Sequence, residues 1–278
     1  MRNGLFVFFL WTIGLHAQVL QKDLSNLTWT FYQSGKNEKM KATVPGTVHT
    51  DLLANQRIPD PFLESNENEV QWIENEDWTY EVQFSLTAIE RKKKHIELIF
   101  EGLDTYAIVS LNGQTILEAD NMFRTWKVDV KAFVKAHNQL KIQFKSAVTK
   151  VNALAQKLPY QLSDDNRVFA RKAPYQFGWD WGPRLVTCGI WKPVKLQLWD
   201  TVRIDHVFHE QRSVSPEKAE LIVHVAVTNS QLTTVELVVN AQSQILNLKK
   251  GNTQIEVPIT IENPKLWWCN GLGQPNLY

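Results

Sequence analysis

Cysteine is nearly absent from this chain: Cys188 and Cys269 are the two in 278 residues. A scaffold held together by disulfides is therefore excluded. The two fall in segments that read as different domains, so two unpaired, buried thiols are expected. Net charge is missing too, at +1, which gives no ground for a nucleic-acid partner or an anionic membrane surface. No apolar run reaches the roughly 20 residues that span a bilayer. There is no G-x-S-x-G nucleophile motif and no glycine loop to cradle phosphate. His206 and His209 lie three apart, which on a strand sends them to opposite faces, so no metal site is expected.

What the chain has in excess is aromatic surface: 11 Trp, 13 Phe and 6 Tyr in a sequence that is 44% hydrophobic and 21% charged. That balance is globular. Flat rings fill cores, and they also stack on the C–H faces of sugars, so carbohydrate contact is worth testing. The N-terminus supplies Arg2, a charge-free run from Gly4 to Leu15, and the small residue Ala17. Residues 1–17 read as a secretory signal peptide cut between Ala17 and Gln18, with no membrane attachment afterwards. The segment looks like a bacterial export signal, which means a periplasmic or secreted protein. On a eukaryotic route the destination would be lysosomal or secreted, and Asn26-Leu27-Thr28 would be a glycosylation acceptor.

Past the signal, period-2 alternation recurs. Trp78–Leu86, Leu140–Lys145 and Val194–Leu198 each read as half-buried strands. Asn112-Gly113, between Tyr106–Leu111 and Gln114–Leu117, is a hairpin signal because both residues tolerate positive φ. Helix is scarce, with a turn or two expected over Val151–Lys157. Leu53–Trp78 reads as a long irregular loop, which Phe62, Trp72 and Trp78 would pack down. A second set of strands begins near Thr201, at Leu221–Val227, Val235–Val239 and Gln254–Ile261. Pro258 cannot donate to a ladder, so the last should be an edge strand or carry a bulge. The fold class is all-β: a β-sandwich over residues 18–200, then an immunoglobulin-like sandwich over 201–278. The second set stops at Tyr278 short of its closing strands, so the sequence is expected to be a fragment.

One stretch, Tyr175-Gln-Phe-Gly-Trp-Asp-Trp-Gly-Pro-Arg184, fits neither strand nor helix. Gly178 and Gly182 bracket Trp179-Asp180-Trp181, and Pro183 fixes the exit. Such a loop can push its central residues outward, where a carboxylate accepts from two sugar hydroxyls and an indole shields the contact. Equally, both indoles can be core with Asp180 making a turn. The catalytic pair of a glycosidase is not placed by any motif. Asp164 and Asp165 are adjacent and point apart in extended chain. The acids of Asn66-Glu67, Asn68-Glu69 and Asn75-Glu76 read as ordinary solvated residues.

The ordered set VPGTVHTDLL (44–53), IPDPF (58–62), NEDWTYE (75–81), FEGLDTYAIVSLNG (100–113), DNMF (120–123), RKAPYQFGWDWGPR (171–184) and GIWKPV (189–194) resembles the β-mannosidases of glycoside hydrolase family 2. The resemblance runs from about Leu24 to Tyr278. It implies a jelly-roll, galactose-binding-like domain, an immunoglobulin-like domain and then a (β/α)8 barrel that this chain lacks, together with both catalytic glutamates, so that the chain is inactive alone. By that match Trp179, Asp180 and Trp181 contact a terminal mannose of a β-mannoside oligosaccharide or glycoconjugate, and the retaining two-carboxylate reaction needs no cofactor or metal. Two other readings are another family 2 exo-glycosidase, such as a β-galactosidase or exo-glucosaminidase, which the GWDWGP segment disfavours, and a free-standing carbohydrate-binding protein, which the unfinished second sandwich disfavours.

Overall fold

The computed structural model describes residues 19–161, 166–240 and 242–278; the expected signal peptide at 1–17 and the pair Asp164-Asp165 lie outside them. Two compact units emerge, Leu20–Leu198 and Trp199–Tyr278.

The first unit opens with β1 (Leu20–Asp23), β2 (Trp29–Gln33) and β3 (Met40–Ala42), then helices α1 (Val48–Ala54) and α2 (Asn66–Glu69) and a 3-10 turn at Gln71–Asn75. β4 (Trp78–Ser85), α3 (Ala88–Lys92), β5 (His95–Phe100), β6 (Tyr106–Leu111), β7 (Gln114–Asp120), β8 (Trp126–Asp129) and β9 (His137–Lys145) follow. α4 (Ala147–Ala155), 3-10 turns at Asn166–Phe169 and Pro174–Phe177, and β10 (Val194–Trp199) complete it. Six strands pair in the order β3-β2-β4-β9-β6-β7, every neighbour antiparallel, and four in the order β1-β10-β5-β8.

The alternation in the sequence is what closes the sandwich. β9 buries Asn138, Leu140, Ile142 and Phe144, and β4 buries Trp78, Tyr80, Val82 and Phe84. All of these except Asn138 meet Ile96, Leu98, Leu196 and Leu198 of the other sheet in one apolar cluster. Tyr80 stacks on Phe31 at 5.5 Å between ring centres and meets Phe144 edge-on at 5.7 Å. The Asn-Gly hairpin forms as expected, with φ of +52° at Asn112 and +84° at Gly113. Helix α4 starts earlier than the expected Val151, because Ser146 caps it by accepting from the Thr149 amide at 3.0 Å.

Leu53–Trp78 departs from the expected irregular loop. Val70 and Ile73, three apart, share one face of a helical turn and are buried, so the segment folds as α2 and the following 3-10 turn. Trp78 is buried as expected, and Trp72, though 42% exposed, packs against it with 5.9 Å between ring centres; Phe62 is exposed and does not pin the segment down.

In the second unit β11 (Val202–Val214), β12 (Lys218–Asn229) and β15 (Gly251–Glu262) form one sheet in that order, and β13 (Thr233–Val239) pairs with β14 (Gln242–Leu248). Pro258 sits on the edge strand β15, opposite Ile222. The core is small and centres on Val225, Val227 and Leu248. Both cysteines are free, but only Cys188 packs against a core, where burial raises its thiol pKa. Cys269 is exposed, contrary to expectation, because it lies in an irregular segment after β15 rather than in a strand.

Helix α1 carries two buried titratable groups. Asp51, 1% exposed, accepts from the Thr43 amide at 2.8 Å and from the Tyr80 hydroxyl at 2.9 Å. Burial still outweighs those bonds and raises its pKa to about 6. Burial, and then the Lys172 charge, lowers His49 to about 4. The two tilt stability in opposite directions. Asp51 contributes stability that is complete below its ordinary pKa of 3.8 and is lost as pH rises through about 6. His49 contributes stability that is complete above 6.5 and is lost as pH falls through about 4. Asp51→Asn removes only the first slope, so the variant's melting temperature should rise relative to wild type as pH goes from about 4 to about 7. Parallel curves across that window would mean that Asp51 does not titrate there.

Candidate functional site

The sequence Gly178-Trp-Asp-Trp-Gly182 makes a tight turn. The Trp179 amide donates to the Gly182 carbonyl at 3.2 Å, and the Gly182 amide returns a bond to Trp179 at 3.2 Å. Asp180 and Trp181 are the two residues at the tip. Entry requires Gly178 at φ +95°, where a Cβ would also come within 3.3 Å of the Arg184 side chain.

Arg184 anchors the exit. Its amide donates to Glu67 Oε1 at 2.7 Å, its Nη2 to Glu74 Oε1 at 2.9 Å and its Nη1 to the Phe177 carbonyl at 3.1 Å. Its own carbonyl accepts from Gln71 Nε2 at 2.8 Å. Glu67 is therefore not the solvated acid that its polar surroundings suggest. Together with Gln71 and Glu74 it turns the 66–75 helical segment into a clamp. On the entry side Phe177 packs with Ala147, Val151 and Val186.

Below the turn lies a buried ion pair. Lys172 Nζ donates to Asp104 Oδ1 at 2.7 Å and to the Thr187 carbonyl at 2.6 Å; the two side chains are 0% and 1% exposed. Asp104 Oδ2 accepts from Gln176 Nε2 at 3.0 Å, and the Thr105 hydroxyl also donates to Asp104. The Asp104 backbone exchanges two bonds of 2.9 Å with Gly189.

At the tip Trp179 is 48% exposed and Trp181 76% exposed, so neither is core. The guanidinium of Arg167 lies 5.5 Å from the centre of the Trp179 ring. Asp180 is exposed and has no hydrogen bond or ion pair among the described residues. All three residues singled out in the sequence thus come together on one solvent-facing turn, and the choice between packing knot and outward loop falls to the loop. A carboxylate there can accept from two vicinal hydroxyls while an indole covers the apolar side of the ligand. Among the described residues no group of three or more His, Cys, Asp or Glu side chains is placed to hold a metal ion.

A family model described as "Glycosyl hydrolase 2 galactose-binding domain-like" matches residues 29–192, and one described as "Glycosyl hydrolases family 2" matches residues 202–278. The chain belongs to glycosyl hydrolase family 2. Within that family it is similar to Beta-mannosidase B of Aspergillus terreus, 34% identical over 94% of this chain and 33% of that protein. It is also similar to Beta-mannosidase B of Thermothelomyces thermophilus, 34% identical over 90% of this chain and 31% of that protein. Among solved structures the β-D-mannosidase of Dictyoglomus thermophilum is 39% identical with a TM-score of 0.84, covering 92% of this chain and 33% of that one. An exo-chitosanase of Amycolatopsis orientalis, at 18% identity and a TM-score of 0.70 over 91% of this chain and 30% of that one, shares the fold alone. The chain spans about a third of the length of the curated relatives it matches.

In this family 2 chain the ion pair and the Arg184 clamp all fall within the galactose-binding-like match. Lys172→Met leaves the Asp104 carboxylate buried without its ammonium, which should cost about 3–5 kcal/mol of unfolding free energy in urea titration. A loss under about 1 kcal/mol would show that water reaches Asp104.

Proposed function

We propose that this chain is the sugar-contacting N-terminal part of an exo-acting β-mannosidase that removes terminal non-reducing β-D-mannose from β-mannosides. The observation that carries the reading is the outward Trp179-Asp180-Trp181 turn, held from below, in a chain 34% identical over 94% of its length to a protein named a β-mannosidase. In this reading Asp180 binds hydroxyls of the terminal mannose, and Trp179 and Trp181 line or support the pocket around it. The two catalytic glutamates belong to a (β/α)8 barrel of the same polypeptide, outside this sequence, so the 278 residues alone are inactive.

The chemistry is a retaining double displacement. One carboxylic acid protonates the glycosidic oxygen as the other carboxylate attacks the anomeric carbon, and water then releases mannose. Both groups are supplied by protein carboxylates, so the reaction needs no metal or organic cofactor. Asp180 contributes binding energy on the ring, which orients the sugar or distorts it toward the oxocarbenium-like transition state. The clamp at Arg184 and the ion pair beneath fix where that carboxylate sits.

In the complete enzyme Asp180→Ala should lower kcat/KM on p-nitrophenyl β-mannoside by about a hundredfold or more, roughly 3 kcal/mol. Unchanged kinetics would return Asp180 to a structural role. The proposal extends to export: Arg2, the apolar run and Ala17 support cleavage after Ala17. N-terminal sequencing of the mature protein should then begin at Gln18, and an intact Met1 would contradict export by this signal.

A further inference from the structure

Where β2 stops and β4 starts, the β2-β3 loop, the chain after α1 and the 3-10 turn Gln71–Asn75 border a cavity of about 160 Å³. That is below the size of drug-sized sites, roughly 300–1,000 Å³, and leaves room for one small ring. Leu52 and Trp78, both buried, form its floor, and the half-exposed Trp72 stands at its side. The Trp78 indole N–H donates to the Ile73 carbonyl at 3.2 Å, so that side chain offers only its ring. The rings of Trp72 and Trp78 are tilted by 47°, and together they make a corner of indole surface.

Polar groups converge on that corner. Arg57 donates through Nη2 to Glu38 Oε1, and the pair sets donors and an acceptor side by side at the cavity. Gln33 adds a carboxamide and Lys36 an ammonium. Neither of these side chains, nor the indole N–H of Trp72, has a hydrogen-bond partner among the described residues, so all three are available to a ligand. The backbone presets the rim: the Lys36 amide donates to the Gln33 carbonyl at 3.0 Å, and the Arg57 amide to the Leu52 carbonyl at 2.9 Å.

An aromatic corner ringed by mixed donors and acceptors suits a sugar, whose C–H face lies on indole while its hydroxyls reach the rim. Glu38, set among Lys36 and Arg57, disfavours a purely anionic ligand. The larger cleft of this unit, about 630 Å³, has Phe84 as its one aromatic among the described residues, and that ring is buried, so it lacks such a platform.

We infer that this cavity is a second carbohydrate site, which holds one neutral hexose unit of a glycan chain on Trp72, with Lys36 and the Arg57–Glu38 pair on its hydroxyls. None of these residues belongs to the Trp179–Trp181 turn, so the cavity adds grip on the glycan without touching the terminal sugar held there. For mannose as the preferred hexose the inference rests on the β-mannosidase reading; for a hexose as such it rests on the cavity.

The test is saturation-transfer NMR on the full-length protein carrying Asp180→Ala, which removes the contact at the turn. The probes are β-1,4-linked mannotriose, β-1,4-linked glucotriose and, as an acidic control, trigalacturonate. At least one neutral trisaccharide should give transfer. Adding Trp72→Ala should raise its Kd about tenfold, the scale of one lost ring contact. Adding Lys36→Ala, a change to an exposed side chain, should raise it about fivefold. Transfer from neither neutral sugar, or from trigalacturonate alone, overturns the site, as does a Kd unchanged by Trp72→Ala. Because Trp72 also packs on Trp78, that variant is checked by circular dichroism; if it does not fold, a Kd unchanged by Lys36→Ala overturns the site instead. Wild-type protein that leaves p-nitrophenyl β-mannoside uncut defeats the functional reading alone, and the same Kd ratios, read on whichever neutral trisaccharide binds, still decide the cavity.

Discussion

Lys172 and Asp104 meet at 2.7 Å with almost no access to water, and the turn above them depends on that contact. Desolvating an ammonium and a carboxylate costs several kcal/mol each, and attraction repays it only when the remaining donors and acceptors are also satisfied. Here they are. The ammonium has the Thr187 carbonyl as a second acceptor, and the carboxylate has the Gln176 amide and the Thr105 hydroxyl as further donors. The consequence is geometric: residues 172, 176 and 187 are tied to one point with Asp104, which is distant from them in the chain. Gln176 is two residues before Gly178, so the entry to the turn inherits that point. Arg184, tied to Glu67, Gln71 and Glu74, fixes the exit in the same way. A two-point support lets a short turn hold two indoles and a carboxylate in solvent, where burial of the rings alone would pull them inward.

Much of the fold was legible because its causes are local. Alternation in β4, β9 and β10 follows from one face of each strand meeting the core, and Asn112-Gly113 follows from the backbone angles of a two-residue hairpin. Pro258 reads as an edge residue because it lacks an amide hydrogen. The segment 53–78 was harder. Its Asn, Glu and Pro content says loop, and only the pair Val70 and Ile73 hints at a helical face, too short a signal to outweigh composition. Aromatic residues there were expected to be packed, yet whether a ring is covered depends on what arrives from elsewhere, and among the described residues nothing covers Phe62.

The site divides similarly. Glycine placement around Trp179-Asp180-Trp181 gave the shape of a turn, but core and outward readings differ only in what lies underneath. Underneath are contacts with large sequence separations, Lys172 to Asp104 and Arg184 to Glu67, that no spacing rule reaches. Lys172 was visible only as one basic residue in a motif, and Glu67 looked like any acid in a polar stretch.

The central claim is that the turn presents Asp180 to the terminal sugar. A crystal structure of the full-length protein with mannose bound tests it most directly. The account expects a carboxylate oxygen of Asp180 within hydrogen-bond distance of a mannose hydroxyl, roughly 2.5–3.2 Å, with Trp179 or Trp181 against the ring. Mannose held in a pocket with Asp180 turned to solvent and out of reach would contradict it.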